Sequence, residues 1–400
     1  MVAHHELEQL HTPCYIIDEA KFQENVKQIR TPFQSRWKGA LLLGFSVKTN
    51  HNKELMKMAK ELGMLAETVS DDEYFWAEKT GFPKKNIIYN GIQKSEDVLV
   101  SALQNGSIVN LDHFEEIDFI EKHRQLLAQK ELHIGLRVNF DLEKECPNET
   151  TAGQEVSRFG FCLENGDFQR AVCRLKKMQI EPEGLHLHYS SKTRSLNIFS
   201  ALAKKACDII EECHLQDNLR FIDIGGGFFG GQKVSDKPTM EEYAKTICDI
   251  LQDRLCTDNI QLILEPGASI LATAVDYVSR VIQSKEIRNT HVVTLDGSNL
   301  HINPFLANRE PQYQLVTDSK KTVPVQIVCG ATCMENDRLL RLQGQPQLEN
   351  GDYVYCTCAG AYTMAFNSCF INLPPYIYKR QKGKYFLCRN QYAEWLEQDM

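Results

Sequence analysis

A (β/α)8 barrel of TIM type followed by a β domain is the fold that this chain's hydrophobic pattern predicts, on three observations. Between residues 20 and 272, short β-branched or apolar runs alternate with longer amphipathic stretches, and about eight such pairs fit a closed parallel barrel. Beyond residue 272 the texture changes to β runs without clear helices between them. Finally, Lys48, Ser70, His188, Gly225 and Glu265 each fall at or near the C-terminal end of a predicted strand, where a parallel barrel gathers its chemistry.

The elements follow in order. Cys14 to Ile17 is a short apolar run ahead of the barrel pattern, which assigns it to the β domain and makes that domain discontinuous, residues 1–19 with 273–400, built as a sandwich or barrel of strands. Ala40 to Val47 reads as the first barrel strand and Lys53 to Leu62 as its helix. They are followed by Met64 to Val69, Asp72 to Lys79, Asn86 to Tyr89, Ser95 to Asn105 and Ile108 to Leu111. Leu132 to Asn139, Gly184 to Tyr189, Phe221 to Ile224 and Gln261 to Leu264 supply further strands, with a helix over Ile198 to Cys213. Val275 to Ser284, Thr290 to Leu295, Val323 to Cys329 and Asp352 to Cys358 then read as strands of the β domain.

Composition bounds the function. The 400 residues are 42% hydrophobic and 24% charged with net charge -8, the balance of a folded soluble chain for which neither duplex nucleic acid nor an anionic membrane is the expected partner. The N-terminal residues lack the apolar run of a secretory signal, and no later stretch is long and apolar enough to span a bilayer, so a cytoplasmic location is expected. Fourteen cysteines scattered through apolar runs read as reduced residues and not as a disulfide framework. Cys356-Thr357-Cys358 and the pair Cys329 and Cys333 lack a second half at zinc-ligand spacing, so no metal is expected.

Six segments in fixed order make up the parts of a pyridoxal-phosphate site: Phe45 to Asn50, His186 to Ser191, Gly225 to Gly227, Glu265-Pro266-Gly267, Gly330 to Cys333 and Gly360 to Thr363. Lys48 ends an apolar strand, where desolvation favours the free amine that attacks an aldehyde, although a strand-end lysine can equally be an ordinary surface residue. Gly225, Gly226 and Gly227 leave backbone N–H groups to converge on a phosphate. Gly225 to Gly230 also fits the bare dinucleotide fingerprint, but lies deep in the strand and helix series instead of opening it. His186 and His188 share one strand face and could be a metal pair, core histidines or a ring stacked on a cofactor. Without a clear third ligand, stacking by His188 and a structural role for His186 is the better division. A carboxylate at Glu265 could keep a pyridine nitrogen protonated, or simply begin a helix. Gly330 and Asp337 mark a turn that presents the Cys333 thiol at a surface, where it could return a proton to a carbanion.

On these residues the chain resembles the alanine-racemase-fold decarboxylases of the diaminopimelate and ornithine decarboxylase family, over nearly its whole length. Thr12-Pro13-Cys14-Tyr15, Phe45 to Asn50, Glu67 to Ser70 with Glu73, Ser157 to Gly160 and Gly184 to Ser191 are similar to that family's elements. The resemblance implies that Lys48 forms the imine with pyridoxal 5'-phosphate, His188 stacks on the ring and Glu265 holds the pyridine nitrogen. Ser191, Gly225, Gly226, Gly227, Gly267 and Tyr362 would hold the cofactor's phosphate end. It further implies that Cys333 is the proton donor, reaching into the neighbouring subunit of a head-to-tail homodimer with composite sites, and that Arg137, Asp296, Met334, Glu335 and Phe370 face an amino-acid-like substrate. Three positions depart from the pattern. Ala268 stands where a phosphate-binding arginine is usual, Met334 where an acid pairs with the substrate's distal amine, and Asn303-Pro304 near the place of an Arg-Pro element. The departures imply a cradle of backbone groups with Ser191 and Tyr362, and a larger or conjugated substrate such as carboxynorspermidine-type or siderophore-type relatives use, with Glu335 able to replace the missing acid. A racemase and a catalytically silent regulator are the rival readings. Glu265 and the Cys333 segment favour a decarboxylase over both.

Overall fold

The computed structural model describes residues 2–307, 310–367 and 369–390. Two compact units divide the chain, Asn25–Ser269 and Met1–Glu24 with Ile270–Met400. The first strand, β1 (Cys14–Asp18), belongs to the second unit, and the strands of the first unit are β2 (Leu41–Ser46), β3 (Leu65–Thr68), β4 (Ile87–Tyr89), β5 (Ile108–Leu111), β6 (His133–Asn139), β7 (Phe161–Cys162), β8 (Gly184–His186), β9 (Phe221–Asp223) and β10 (Gln261–Leu264). Their order, β5-β4-β3-β2-β10-β9-β8-β6 with β5 also paired to β6, closes a ring of eight parallel strands; β7 adds to the edge of β6.

Side chains that alternate along these strands fill the ring in layers. Leu42, Leu65, Ile88, Ile108, Phe221 and Ile263 form one apolar cluster inside it, from six different strands. Gly135 and Gly184 make room for the Phe221 ring, since a Cβ on either would lie within 3 Å of it. Because the side-chain period of a strand is two, the inward residue that follows each of these lies one layer nearer the C-terminal end. Those residues are Gly44, Glu67, Asn90, Asn110, Asp223 and Glu265, with Arg137 following Gly135 and His186 following Gly184. An apolar floor thus carries a largely polar layer, and burying the floor's large side chains contributes about 2 kcal/mol each to folding.

The second unit is built on strands β11 (Val275–Ile287), β12 (Thr290–Leu295), β13 (Gln312–Val316), β14 (Thr322–Cys329), β15 (Arg338–Pro346), β16 (Tyr353–Thr357), β17 (Tyr376–Gln381) and β18 (Lys384–Arg389). They run in the order β15-β14-β12-β11-β1-β17-β18, and β16 pairs with both β11 and β13. The early apolar run therefore lies mid-sheet, antiparallel to β11 and parallel to β17. Leu7, Leu10, Cys14 and Ile16 pack there with Val278, Tyr353, Tyr355 and Tyr378. Among the described residues, no helix is long and apolar enough to cross a membrane.

Candidate active site

Lys48 lies in a single 3-10 turn, Val47–Thr49, that follows β2. Its Nζ sits between both oxygens of Glu67, 2.8 and 2.7 Å away, and Glu67 is fully buried at the end of β3. From β4, Asn90 donates to Glu67 at 3.2 Å and to Glu265 at 2.5 Å, and its own carbonyl oxygen accepts from Asn110 at 2.8 Å. One amide thus ties the carboxylate beside the lysine to the carboxylate that follows β10. Burial alone would raise the pKa of Glu265, but His186 and Lys48 outweigh it and hold the group well below the usual carboxylate range. Glu265 is therefore an anion at neutral pH.

His188 lies next to this group, its ring nearly parallel to that of His186 with 6.2 Å between centroids. Desolvation, reinforced by the charges of Lys48 and Arg137, keeps its pKa well below the ordinary histidine value. Its Nδ1 accepts the N–H of Gly226 at 3.0 Å, so the ring is neutral with any proton on Nε2. Arg137 is buried, with Nη1 3.3 Å from Asp112, Nη2 donating to the carbonyl of His188 at 3.5 Å, and its guanidinium 4.3 Å from the Phe159 ring. Behind it, Glu116 accepts from the Asp112 N–H and pairs with Lys94, both side chains fully buried.

The glycine segment is packed hard against these side chains. Gly225 and Gly227 have φ of 71 and 97, and a Cβ on Gly225 would meet His188 Nδ1 at 2.6 Å, on Gly226 the Glu265 carbonyl at 2.4 Å. Gly225 donates to Asp223 Oδ1 at 2.8 Å. The N–H groups of Gly225 and Gly226 are thus engaged within the protein, which corrects the expectation that all three glycines turn theirs toward a phosphate; at these two the missing Cβ serves close approach instead. Gly267 is equally constrained, since a Cβ there would lie 2.4 Å from Thr49 Oγ1. Ser191 Oγ accepts from the N–H groups of Thr193 and Arg194 in the turn leading to the helix Leu196–Glu212.

The strand that carries the histidines is three residues shorter than its pattern predicts. β8 ends at His186 and not at Tyr189, because the chain turns to pair Ser191 with Thr150, and the carbonyl of Ser190 accepts from Thr151. His188 therefore lies just beyond the strand. Asp223, Asn90 and Asn110 are not among the residues the sequence singles out: Asn90 precedes Gly91 and reads as a turn, while Asp223 and Asn110 lie inside runs that read simply as apolar strands. The available signal was their place two residues after an inward apolar residue.

The remaining candidates belong to the second unit. Cys333 is exposed in the turn between β14 and β15, a turn held by buried Asp337, which accepts from the N–H and hydroxyl of Thr332 and from the N–H of Asn299. Met334 is half-buried beside it, and Glu335 is fully in solvent, 3.8 Å from Arg338. Asp296 accepts from Thr12, Ser279 and the Arg280 N–H, so its oxygens are occupied within its own unit. Tyr362, at φ 59, and Phe370 are exposed between β16 and β17.

The features fit pyridoxal phosphate: a lysine paired with a buried carboxylate, a neutral imidazole, a buried anion and a backbone approach that any Cβ would fill. Comparison with known proteins agrees. The pattern of the pyridoxal binding domain of pyridoxal-dependent decarboxylases matches residues 19–272. A diaminopimelate decarboxylase of Aquifex aeolicus is 27% identical over 367 residues, 91% of this chain and 85% of the relative. One of Bacillus subtilis is 29% identical over 392 residues, 93% of this chain and 87% of the relative. The crystal structure of a Helicobacter pylori diaminopimelate decarboxylase complexed with L-lysine superposes with a TM-score of 0.81 at 23% identity, covering 99% of each chain, a likeness of fold.

Proposed function

We propose, from the premise that this chain belongs to the pyridoxal-dependent decarboxylase family, that it removes the α-carboxyl group of an amino acid with an extended or conjugated distal part. The observation that carries the chemistry is the hydrogen-bonded line Lys48, Glu67, Asn90, Glu265, which sets an amine and an anion on either side of one amide. When bound, pyridoxal phosphate supplies a conjugated ring that accepts the electron pair left as carbon dioxide departs. Lys48 holds the cofactor through Nζ, and Glu67 takes or returns the proton there. Glu265 keeps a proton on the ring nitrogen. His188 offers a flat, uncharged face, and Gly227, Gly267, Ser191 and Tyr362 hold the phosphate. Cys333, the proton donor at Sγ, serves the neighbouring subunit of a homodimer, and Arg137, Asp296, Met334, Glu335 and Phe370 face substrate.

Met334 and Asn303 support the substrate reading. A buried distal charge left without its partner costs about 3 kcal/mol, about 100-fold in kcat/KM. Diaminopimelate is the second reading, favoured by the names of the relatives. Assaying carbon dioxide release from diaminopimelate, lysine, ornithine, arginine and polyamine- or citryl-linked amino acids separates them: a conjugated substrate turned over at least about 100-fold better supports the first, and diaminopimelate as the best substrate overturns it. Racemisation without carbon dioxide, or no turnover of any amino acid, would favour the racemase or the silent regulator.

A further inference from the structure

Asp223 has no part in the chemistry described so far, yet it lies beneath it. It is fully buried at the end of β9. Its Oδ1 accepts the Gly225 N–H at 2.8 Å, while Oδ2 has no geometric hydrogen-bond partner among the described residues. Its carboxyl, that of Glu265 and the His186 imidazole bring polar atoms to within 4.8 Å of one another. Two bare carboxylates at such range in a dry interior repel, and the repulsion is relieved when one of them keeps a proton. Existing partners decide which one. Asn90 donates to Glu265 at 2.5 Å and His186 Nε2 stands 3.4 Å from its other oxygen, whereas Asp223 has a single backbone donor.

We propose that Asp223 is a positioning residue that holds the proton of this pair, donating Oδ2–H to Glu265 while its Oδ1 fixes the first glycine of the cradle. The inference rests on the reading of Glu265 as the partner of the cofactor's ring nitrogen. It gives that anion a neutral support on the side away from Lys48, and links the two ends of the cofactor site through one side chain. The groups around the pair agree: burial first, then the charges of Glu265 and Glu67, push Asp223 well above the usual carboxylate range, and His186 and Lys48 favour the charge on Glu265.

Asp223→Asn tests this, because the carboxamide is neutral, can accept from Gly225 and can donate to Glu265. The holoenzyme of D223N should bind pyridoxal phosphate within about twofold of the original chain and show the same pH dependence of the lysine-bound cofactor's absorbance. Asp223→Ala should bind it about tenfold or more weakly. In infrared difference spectra at about pH 8, the original chain should show a protonated-carboxyl carbonyl band that D223N lacks. Loss in D223N as large as in D223A would mean that the charge of Asp223 is what matters and would overturn the proposal, as would unchanged affinity in D223A or absence of the band. If D223A fails to fold, D223N and the infrared band still decide. Failure of the original chain to take up cofactor would instead overturn the reading of Glu265, and with it the positioning role, while the band still reports the proton.

Discussion

Lys48 owes its place to geometry that a surface lysine would lack: both oxygens of a fully buried glutamate within 2.8 Å. Replacing it with alanine is expected to abolish carbon dioxide release and also to strand Glu67, so K48A should lose both activity and the visible absorbance of bound cofactor, measured on the same preparation. Retained turnover would contradict the role. Met334 tests selectivity at the same scale. With an acid in its place a distal amine gains a charged partner, so Met334→Asp should raise kcat/KM for simple diamino acids by about tenfold. A fall for every substrate would show that position 334 does not face the distal group. Gly226 tests the cradle. An added Cβ would lie 2.4 Å from the Glu265 carbonyl, so Gly226→Ala should cost about 1–3 kcal/mol in stability and weaken cofactor binding, read by thermal melts with and without pyridoxal phosphate.

The helix Asp71–Thr80 shows how an element couples to the site. Ser70 caps it by accepting from the Glu73 N–H, and Glu73 accepts the Val69 N–H in return. Burial, with the charge of Glu67 adding to it, raises the pKa of Glu73 to about 7. Both folded and unfolded forms carry the proton below the ordinary carboxylate range, so the protonated state's advantage is complete there and is lost as pH rises through 7. Glu73→Gln keeps the acceptor without the charge. It should match the original chain near pH 4 and be more stable by about 2–3 kcal/mol near pH 8, checked by denaturant titration at the two pH values. Equal stability at both would show that Glu73 ionises normally. Much of this was legible beforehand. The strands at Ile108 to Leu111 and Gln261 to Leu264 were read to the residue, because apolar runs between turn signals have few other uses. Asn90 and Asp223 were not, because their meaning depends on closure of the ring: Asn90 meets Glu265 across 175 positions of sequence, and no local pattern carries that.

At the scale of the molecule, closure of eight strands is what brings one inward residue from each to a common layer, and it tolerates buried charge there only where charge is paired. The same rule holds outside that layer, where Lys94, in the loop after β4, pairs with Glu116 on the helix Phe114–Lys122, both side chains without exposure; Lys94→Met should destabilise the fold by about 3 kcal/mol or more, seen as a lower denaturation midpoint. The proposed homodimer with composite sites makes its own prediction. K48A and Cys333→Ala are each expected to be inactive alone, but subunits exchanged between them should recover about one quarter of the original activity, since one site in a mixed dimer is intact. No recovery would place both residues in one subunit's site. The central claim, that Lys48 carries the cofactor, is tested most directly by reducing the purified protein with borohydride after adding pyridoxal phosphate and mapping the modified peptide. A single pyridoxyl group on Lys48 is the predicted result; modification of a different lysine, or none, would contradict it.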